Sequence, residues 1–353
     1  MHKDVLKMRL NKIFILFIIS LLFSSCADEM QDYRQMWQKA HHLDDTHMMK
    51  LYGEPSDDWD NIFGAVLEAV DGNWDKVALL TGGSRTSELF AYYHNLAMAM
   101  EGHLADSLMH YYQPFERGLF LPVGEKSGQL KIAASSEVWF RLGEMTMAEH
   151  SAMLAQIFSP NHFGVPYLKR MTEISLVNGQ DEVARKYLRL LSTEDGCEEW
   201  VADRIPGRLS KDVAAQISSL RTLVPKSDMV HSPADYRGIL KHLLASNPDN
   251  YLARQYLLCL DIIIKDLEHF IEDYDPSKGR SRLYDEAVLI FLAQRGAVTS
   301  ENLAHFGISY EMLQEFSDYN SMYNFYQGAI EPMQNKYGKT YWFFYHYAKR
   351  NDK

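Results

Sequence analysis

Two stretches of this chain carry the same packing pattern at an offset of 29 residues. Both lie between Glu137 and Leu191. Trp139, Leu142 and Gly143 open the first, Leu168, Met171 and Thr172 take the matching places in the second, and Ala155 and Ala184 then fall at the same offset in each. Large residues at helical spacing fill a groove, while glycine and alanine let the next helix approach closely. A helix pair of this length cannot bury its apolar faces alone, so such pairs must stack on one another. That requirement points to an all-α fold built from helix–turn–helix units.

The rest of the chain reads the same way. Asp57 or Asp58 caps a helix with Ile62, Val66, Leu67 and Val70 on one face. Asp71-Gly72-Asn73, Gly82-Gly83-Ser84 and Glu101-Gly102-His103 break the chain between helices. Pro114 to Gly128 is an irregular insert. Beyond the central pair, Lys211–Leu223, Asp235–Ala245, Tyr251–Ile264, Leu267–Tyr274 and Leu283–Gln294 continue the series. Leu252, Tyr256, Cys259, Ile263 and Leu267 recur at steps of three and four, as one buried stripe requires. No segment alternates with period two, so no sheet is expected.

The amino terminus is of another kind. Lys3, Lys7, Arg9 and Lys12 precede an apolar run of 11 residues, Ile13 to Phe23, interrupted by Ser20. A bilayer span takes about 20 apolar residues, so the run matches a secretory signal instead. It ends in Phe23-Ser24-Ser25-Cys26. Small residues just before a cysteine resemble the lipobox of bacterial lipoproteins, with Phe23 departing from the usual leucine. That resemblance implies cleavage before Cys26 and acyl chains on its thiol and new amino terminus, enough lipid for stable anchoring. The expected layout is a signal over 1–25, a polar tether over 26–56, helical in part near Tyr33–Lys39, and a helical-repeat domain over 57–353 with an aromatic cap over about 300–353. Cys197 sits in a polar turn and Cys259 in an apolar helix, so no disulfide is implied.

The Trp139, Leu142, Gly143 and Ala155 set, echoed by Gly179 and Ala184, resembles the tetratricopeptide repeat, shortened from 34 residues to 29. The fold expected from it is a right-handed α-solenoid of irregular tetratricopeptide-like pairs. Leu168–Met171, Asn178–Asp181 and Lys186–Arg189, with Ala245–Asn250, Lys265–Leu267 and Gly338–Phe343, are similar to an uncharacterised helical-repeat lipoprotein family of Bacteroidetes. The resemblance covers about residues 60–350 and implies no activity.

Charge and motifs exclude several function classes. The net charge of −11 becomes −14 without the basic first 25 residues, the wrong sign for phosphate neutralisation, so no nucleic acid is expected. Gly118 to Ser127 lacks the phosphate-loop spacing, and Gly82-Gly83-Ser84 is no dinucleotide fingerprint. His41, His42 and His47 with Asp44 and Asp45 form the densest candidate metal cluster, but they read as a solvated linker, and no metal or other cofactor is expected. Glu149-His150 is no zinc-protease motif; His94 and His103 read as packing or surface residues. The carboxylates Asp57, Asp58, Asp60, Glu198, Glu199, Asp273 and Asp275 read as caps and solvated faces. No catalytic residue is assigned.

Phe306 to Tyr347 holds 14 aromatics in 42 residues against 12% overall. It reads as a plug on the end of the stack, with a stacking surface for sugars or peptides as the alternative. The sequence therefore predicts a non-catalytic, lipid-anchored protein of the cell envelope, in the outer rather than the inner membrane, with its mature domain periplasmic or surface-exposed. It would bind an envelope protein as a scaffold or adaptor. The alternative is capture of a glycan or small molecule beside an outer-membrane transporter, for which the insert at Pro114–Gly128 is the one comparable loop. Trp139, Gly143, Ala155, Gly179 and Ala184 are expected to serve packing, so the faces of the stack and the aromatic end beyond Phe306 are better places to look for function than the middle of the chain.

Overall fold

A computed structural model describes residues 33–124, 127–227, 232 and 234–350. The signal segment and Cys26 lie outside them. The described residues are helical and contain no strand. After α1 (residues 33–40) and α2 (Asp45–Tyr52) come α3 (Asp57–Asp71), α4 (Trp74–Thr81), α5 (Glu88–Met100) and the short α6 (Leu104–Ser107). The insert follows, then α7 (Gln129–Leu142), α8 (Met145–Phe158), α9 (Val165–Val177), α10 (Asp181–Leu191), α11 (Glu198–Ala202) and α12 (Lys211–Leu223). The second half comprises α13 (Tyr236–Ser246), α14 (Tyr251–Ile263), α15 (Leu267–Asp273), α16 (Arg282–Gln294), α17 (Ser300–Phe306), α18 (Tyr310–Phe325), α19 (Ile330–Tyr337) and α20 (Tyr341–Tyr347).

One turn recurs between paired helices. After α7, the Glu144 N–H donates to Trp139 O at 2.9 Å and the Gly143 N–H to Phe140 O. The same two bonds close α3 at Gly72, α5 at Gly102, α9 at Gly179 and α14 at Lys265. Each satisfies carbonyls that the helix end leaves orphaned, and each needs a left-handed residue. Gly143 carries a second constraint. Its φ is +93°, and a Cβ there would stand 2.6 Å from Leu223 Cβ and 2.8 Å from Leu223 O. At Gly179, φ is +71° with open space around. Gly143→Ala should therefore cost about 2–3 kcal/mol, combining strain with a clash against α12. Gly179→Ala should cost about 1 kcal/mol from strain alone. Urea midpoints of the two variants check the difference; equal losses would mean α12 gives way freely.

The first helices of the pairs are buried and the second ones lie outside. α7 and α9 bury almost every residue, whereas α10 buries Ala184, Leu188 and Leu191 on one face. α3 touches α5, α7 and α9, and α14 lies against α5, α6 and α7. A simple solenoid gives each repeat contact with its neighbours alone. Here α3 reaching α9 draws the first four pairs into a closed cluster.

That closure depends on buried charge. Arg170 donates through Nε and Nη2 to Glu137 at 3.0 and 2.8 Å, and through Nη1 to Glu173. Arg141 donates to Glu137 at 2.9 Å, and Arg204 closes the chain onto Glu173 at 3.0 Å. Arg141 Nη2 and Arg170 Nη2 also bond the Ala69 and Val70 carbonyls at the end of α3. Cations there meet both the orphan carbonyls and the negative end of the helix dipole.

The helix expected near Tyr33–Lys39 is α1, and with α2 it packs on the body, so residues 33–52 do not stand off as a polar spacer. Trp37 and Met48 are fully buried, and the Trp37 ring stacks 4.9 Å from Phe63. Polar residues between these anchors dilute the average hydrophobicity and conceal an amphipathic hairpin. Cys197 lies in a loop and Cys259 in α14, as expected, and both are buried, free thiols. The aromatic end largely packs inward. Tyr319, Tyr341 and Trp342 are fully buried, with Phe316 and Tyr337 nearly so, while Tyr310, Phe325 and Tyr326 stay exposed.

Candidate functional site

α7 and α8 lie side by side, and their spacing brings two rows of side chains to one opening. Ile132, Ser135 and Trp139 come from α7; Met147, Ser151, Leu154 and Phe158 come from α8. Steps of three and four keep each row on one helix face. Leu121 to Gly124 and Ser127 of the insert form a third wall, and Ala234 with Tyr236 at the start of α13 a fourth. Together they enclose a cavity of about 600 Å³.

The insert is held in place by its own core. Asn95 of α5 donates to Gln113 Oε1 and to Gly118 O, both at 2.8 Å, and all of this is buried. Phe120 packs against Trp139 at 4.8 Å and Tyr236 at 4.6 Å, with Tyr256 edge-on at 5.4 Å. Arg117 of the insert and Lys131 of α7 both bond Glu88 at 2.9 Å. A wall fixed this way is preformed, which spares a ligand the cost of ordering it.

The polar atoms around the cavity divide into used and free. Gln129 is used: the Tyr52 hydroxyl donates to its Oε1 at 3.2 Å, and its Nε2 donates to the Tyr167 hydroxyl at 2.6 Å. Ser135 donates to Ile132 O at 2.8 Å. Among the described residues, the Ser151 and Tyr236 hydroxyls have no hydrogen-bond partner. His150 is exposed at the opening, as are Phe158 and Val123. Burial, and then the Glu116 carboxylate, push the Tyr236 hydroxyl up to about 12, so it stays a neutral donor near pH 7. No Asp, Glu, Lys or Arg lines the described wall. Such a surface desolvates apolar groups.

The remaining candidates fall elsewhere and do not converge. His41 is buried against Trp37, with its ring centroid 5.4 Å from that of Tyr167, and burial lowers its pKa to about 4. His42 pairs with Glu194 at 2.8 Å and His47 with Asp44 at 2.7 Å. Among the described residues no three His, Cys, Asp or Glu side chains stand together as a metal site. His94 is buried beside Thr81. Asp58 pairs with Arg85, Asp273 with Arg237 and Lys241, and Asp275 with Ser277 and Lys278. No described helix is long and apolar enough to cross a membrane.

A cavity of about 600 Å³ thus opens in the middle of the chain, the stretch where function was least expected. Trp139 serves both: it is a repeat residue and a cavity wall. The insert, singled out as the one unusual loop, is the opposite wall. Met147, Leu154, Phe158 and Tyr236 carry no sequence signal that separates a cavity lining from a core stripe.

The sequence pattern of a family of unknown function, DUF6057, matches residues 2–348. No curated protein and no solved structure matches the chain.

Proposed function

We propose that this chain, which belongs to the DUF6057 family, is a non-catalytic binding protein held at the cell envelope by lipid on Cys26. Its task is to capture a small molecule between the insert and the α7–α8 face. The observation that supports this best is the preformed cavity of about 600 Å³, inside the size range typical of small-molecule sites. Charged walls and paired acid–base groups, which most enzyme sites need, are lacking on its described lining. The lipoprotein reading rests on the Phe23-Ser24-Ser25-Cys26 signal and on the similarity to helical-repeat lipoproteins of Bacteroidetes.

A second reading, a scaffold for an envelope protein, draws on a different observation. Met153, Ile157 and Phe158 of α8 and Leu190 of α10 are each about half exposed or more. Apolar side chains left exposed together on a helix mark interaction sites more often than chance surface does, and on α8 three of them fall within six residues. The two readings separate in one experiment. A photoreactive residue is placed at Leu121, in the cavity, or at Ile157, on the outer face, and the anchored protein is irradiated in its native cells. Capture predicts a small-molecule mass increment at position 121; scaffolding predicts a protein-sized adduct at position 157 alone. Clean protein at 121 overturns the capture reading. In the same cells Cys26→Ala should leave the detergent phase, and equal partitioning would remove the anchor from the proposal.

A further inference from the structure

We infer that the cavity between the insert and α7–α8 takes a long acyl chain, as a fatty acid or as part of a lipid. This rests on the capture reading and names the ligand class for it. The argument is an inventory of hydrogen bonds. Gln129 and Ser135 already have their partners. The polar groups left on the described wall are the Ser127, Ser151 and Tyr236 hydroxyls, the Trp139 indole N–H, the exposed His150 ring and the backbone of Leu121 to Val123, in a mostly aliphatic and aromatic lining. An extended peptide brings a backbone N–H and C=O with every residue, and each one buried without a partner is costly. A glycan brings hydroxyls on most of its carbons and meets the same shortage. An acyl chain brings none, and it matches walls built from Leu121, Ile132, Trp139, Met147 and Leu154.

Charge agrees. A buried carboxylate or phosphate would need a cation, and no Lys or Arg lines the described wall. The polar end of the ligand therefore stays at the mouth, where His150, Phe158 and Val123 are exposed. The chain runs inward toward Trp139, which is buried at the cavity floor and stacked on Phe120. Met147 adds a flexible thioether that fits irregular apolar ligands.

The test is titration of the delipidated full-length protein with a dansyl-labelled long-chain fatty acid. Saturable binding at one site per chain is expected, with a blue-shifted emission that an unlabelled saturated fatty acid reverses. Oligosaccharides and an apolar hexapeptide should not reverse it. Ser151→Trp fills the cavity from α8 and should weaken binding about tenfold or more, the scale of one lost apolar contact set. Tyr236→Phe removes a hydroxyl that an acyl chain does not use and should leave binding within about twofold, whereas a ligand bonded to it would lose about fivefold or more. Phe158→Glu puts a charge at an exposed position of the mouth, so it leaves the fold intact, and it should also weaken binding. Vesicles of a labelled diacyl phospholipid separate the sources: transfer of the label to the protein identifies a lipid, and its retention by the vesicles with free acid still bound identifies a fatty acid. No saturable binding overturns the inference, and so does binding that Phe158→Glu and a folded Ser151→Trp leave unchanged. If acyl binding fails while the Leu121 position still acquires a small adduct in cells, the acyl assignment falls and the capture reading stands. If both fail, both fall.

Discussion

Arg170→Ala is expected to destabilise the chain by on the order of 4 kcal/mol, read from guanidinium unfolding, and to cost more than any exposed charge deletion. Arg170 is 1% exposed and holds two buried carboxylates, Glu137 and Glu173, together with the Val70 carbonyl. Its guanidinium also lies 4.0 Å over the Phe140 ring. Removing it leaves Glu137 with Arg141 alone and Glu173 with Arg204 alone, takes the hydrogen bonds of Arg170 from both buried carboxylates and opens a gap where the guanidinium stood. Breaking one partner from a buried pair typically costs about 3–5 kcal/mol. The pair itself need not be worth that much, since both ions gave up hydration to enter the core. Replacing the three together, as Glu137→Leu with Arg141→Met and Arg170→Met, leaves Glu173 its pair with Arg204 and should therefore recover part of the loss. Arg185→Ala, which breaks an exposed pair with Glu182, should stay within about 0.5 kcal/mol. An Arg170→Ala chain as stable as the Arg185→Ala chain would mean that water fills the gap, and that the α3–α7–α9 contact does not depend on these ions.

The same residues show what sequence could and could not convey. Helix pairs were legible because groove-filling and small residues recur at a fixed offset, and because one turn, closed at Gly72, Gly102, Gly143 and Gly179, repeats. The central ion chain was not legible. Glu137, Arg141, Arg170, Glu173 and Arg204 are charged types that sequence logic assigns to the surface, and only the approach of α7, α9 and the turn after α11 brings them together. The hairpin of α1 and α2 was hidden for the opposite reason: its few anchors, Trp37, Leu43 and Met48, are diluted by exposed His and Asp. The cavity was half legible. Its insert wall stood out as irregular, but the α7 and α8 walls obey the same period as a filled core. Whether a helical stripe meets another helix or an open space depends on the loop above it, and no local spacing encodes that.

Asp261→Asn should be more stable than the parent at pH 8, with an advantage that shrinks as the pH falls. Asp261 is fully buried at the heart of α14; Arg237 Nε reaches its Oδ1 at 3.2 Å, and its Oδ2 has no partner among the described residues. Burial raises its pKa to about 7, Arg237 opposes, and Asp273 and Asp266 add to the rise. A folded-state pKa above the unfolded value of 3.8 means that the folded chain binds the proton more tightly. Stability is then lost as the pH rises from about 4 to about 7, and the whole penalty is present above that. An asparagine takes no part in this titration and still accepts from Arg237, which keeps Asp273 as its second partner. The gap between variant and parent should widen by on the order of 2–3 kcal/mol from pH 5 to pH 8. Comparing two chains matters here because His41 runs the other way. Burial lowers its pKa to about 4, so its neutral form adds stability as the pH rises from 4 toward 6.5; that contribution is common to both chains and cancels in the difference. Glu286 makes the contrast. It too is raised to about 7 by burial, yet both its oxygens accept bonds, from Arg282 Nε at 2.8 Å and from the Tyr341 N–H at 2.6 Å. A Glu286→Gln amide must turn its NH₂ toward one of those donors, so the gain from removing charge is offset and α20 loses its anchor. Parallel pH profiles for Asp261→Asn and the parent would show that Asp261 stays ionised across the range, with Arg237 outweighing its burial.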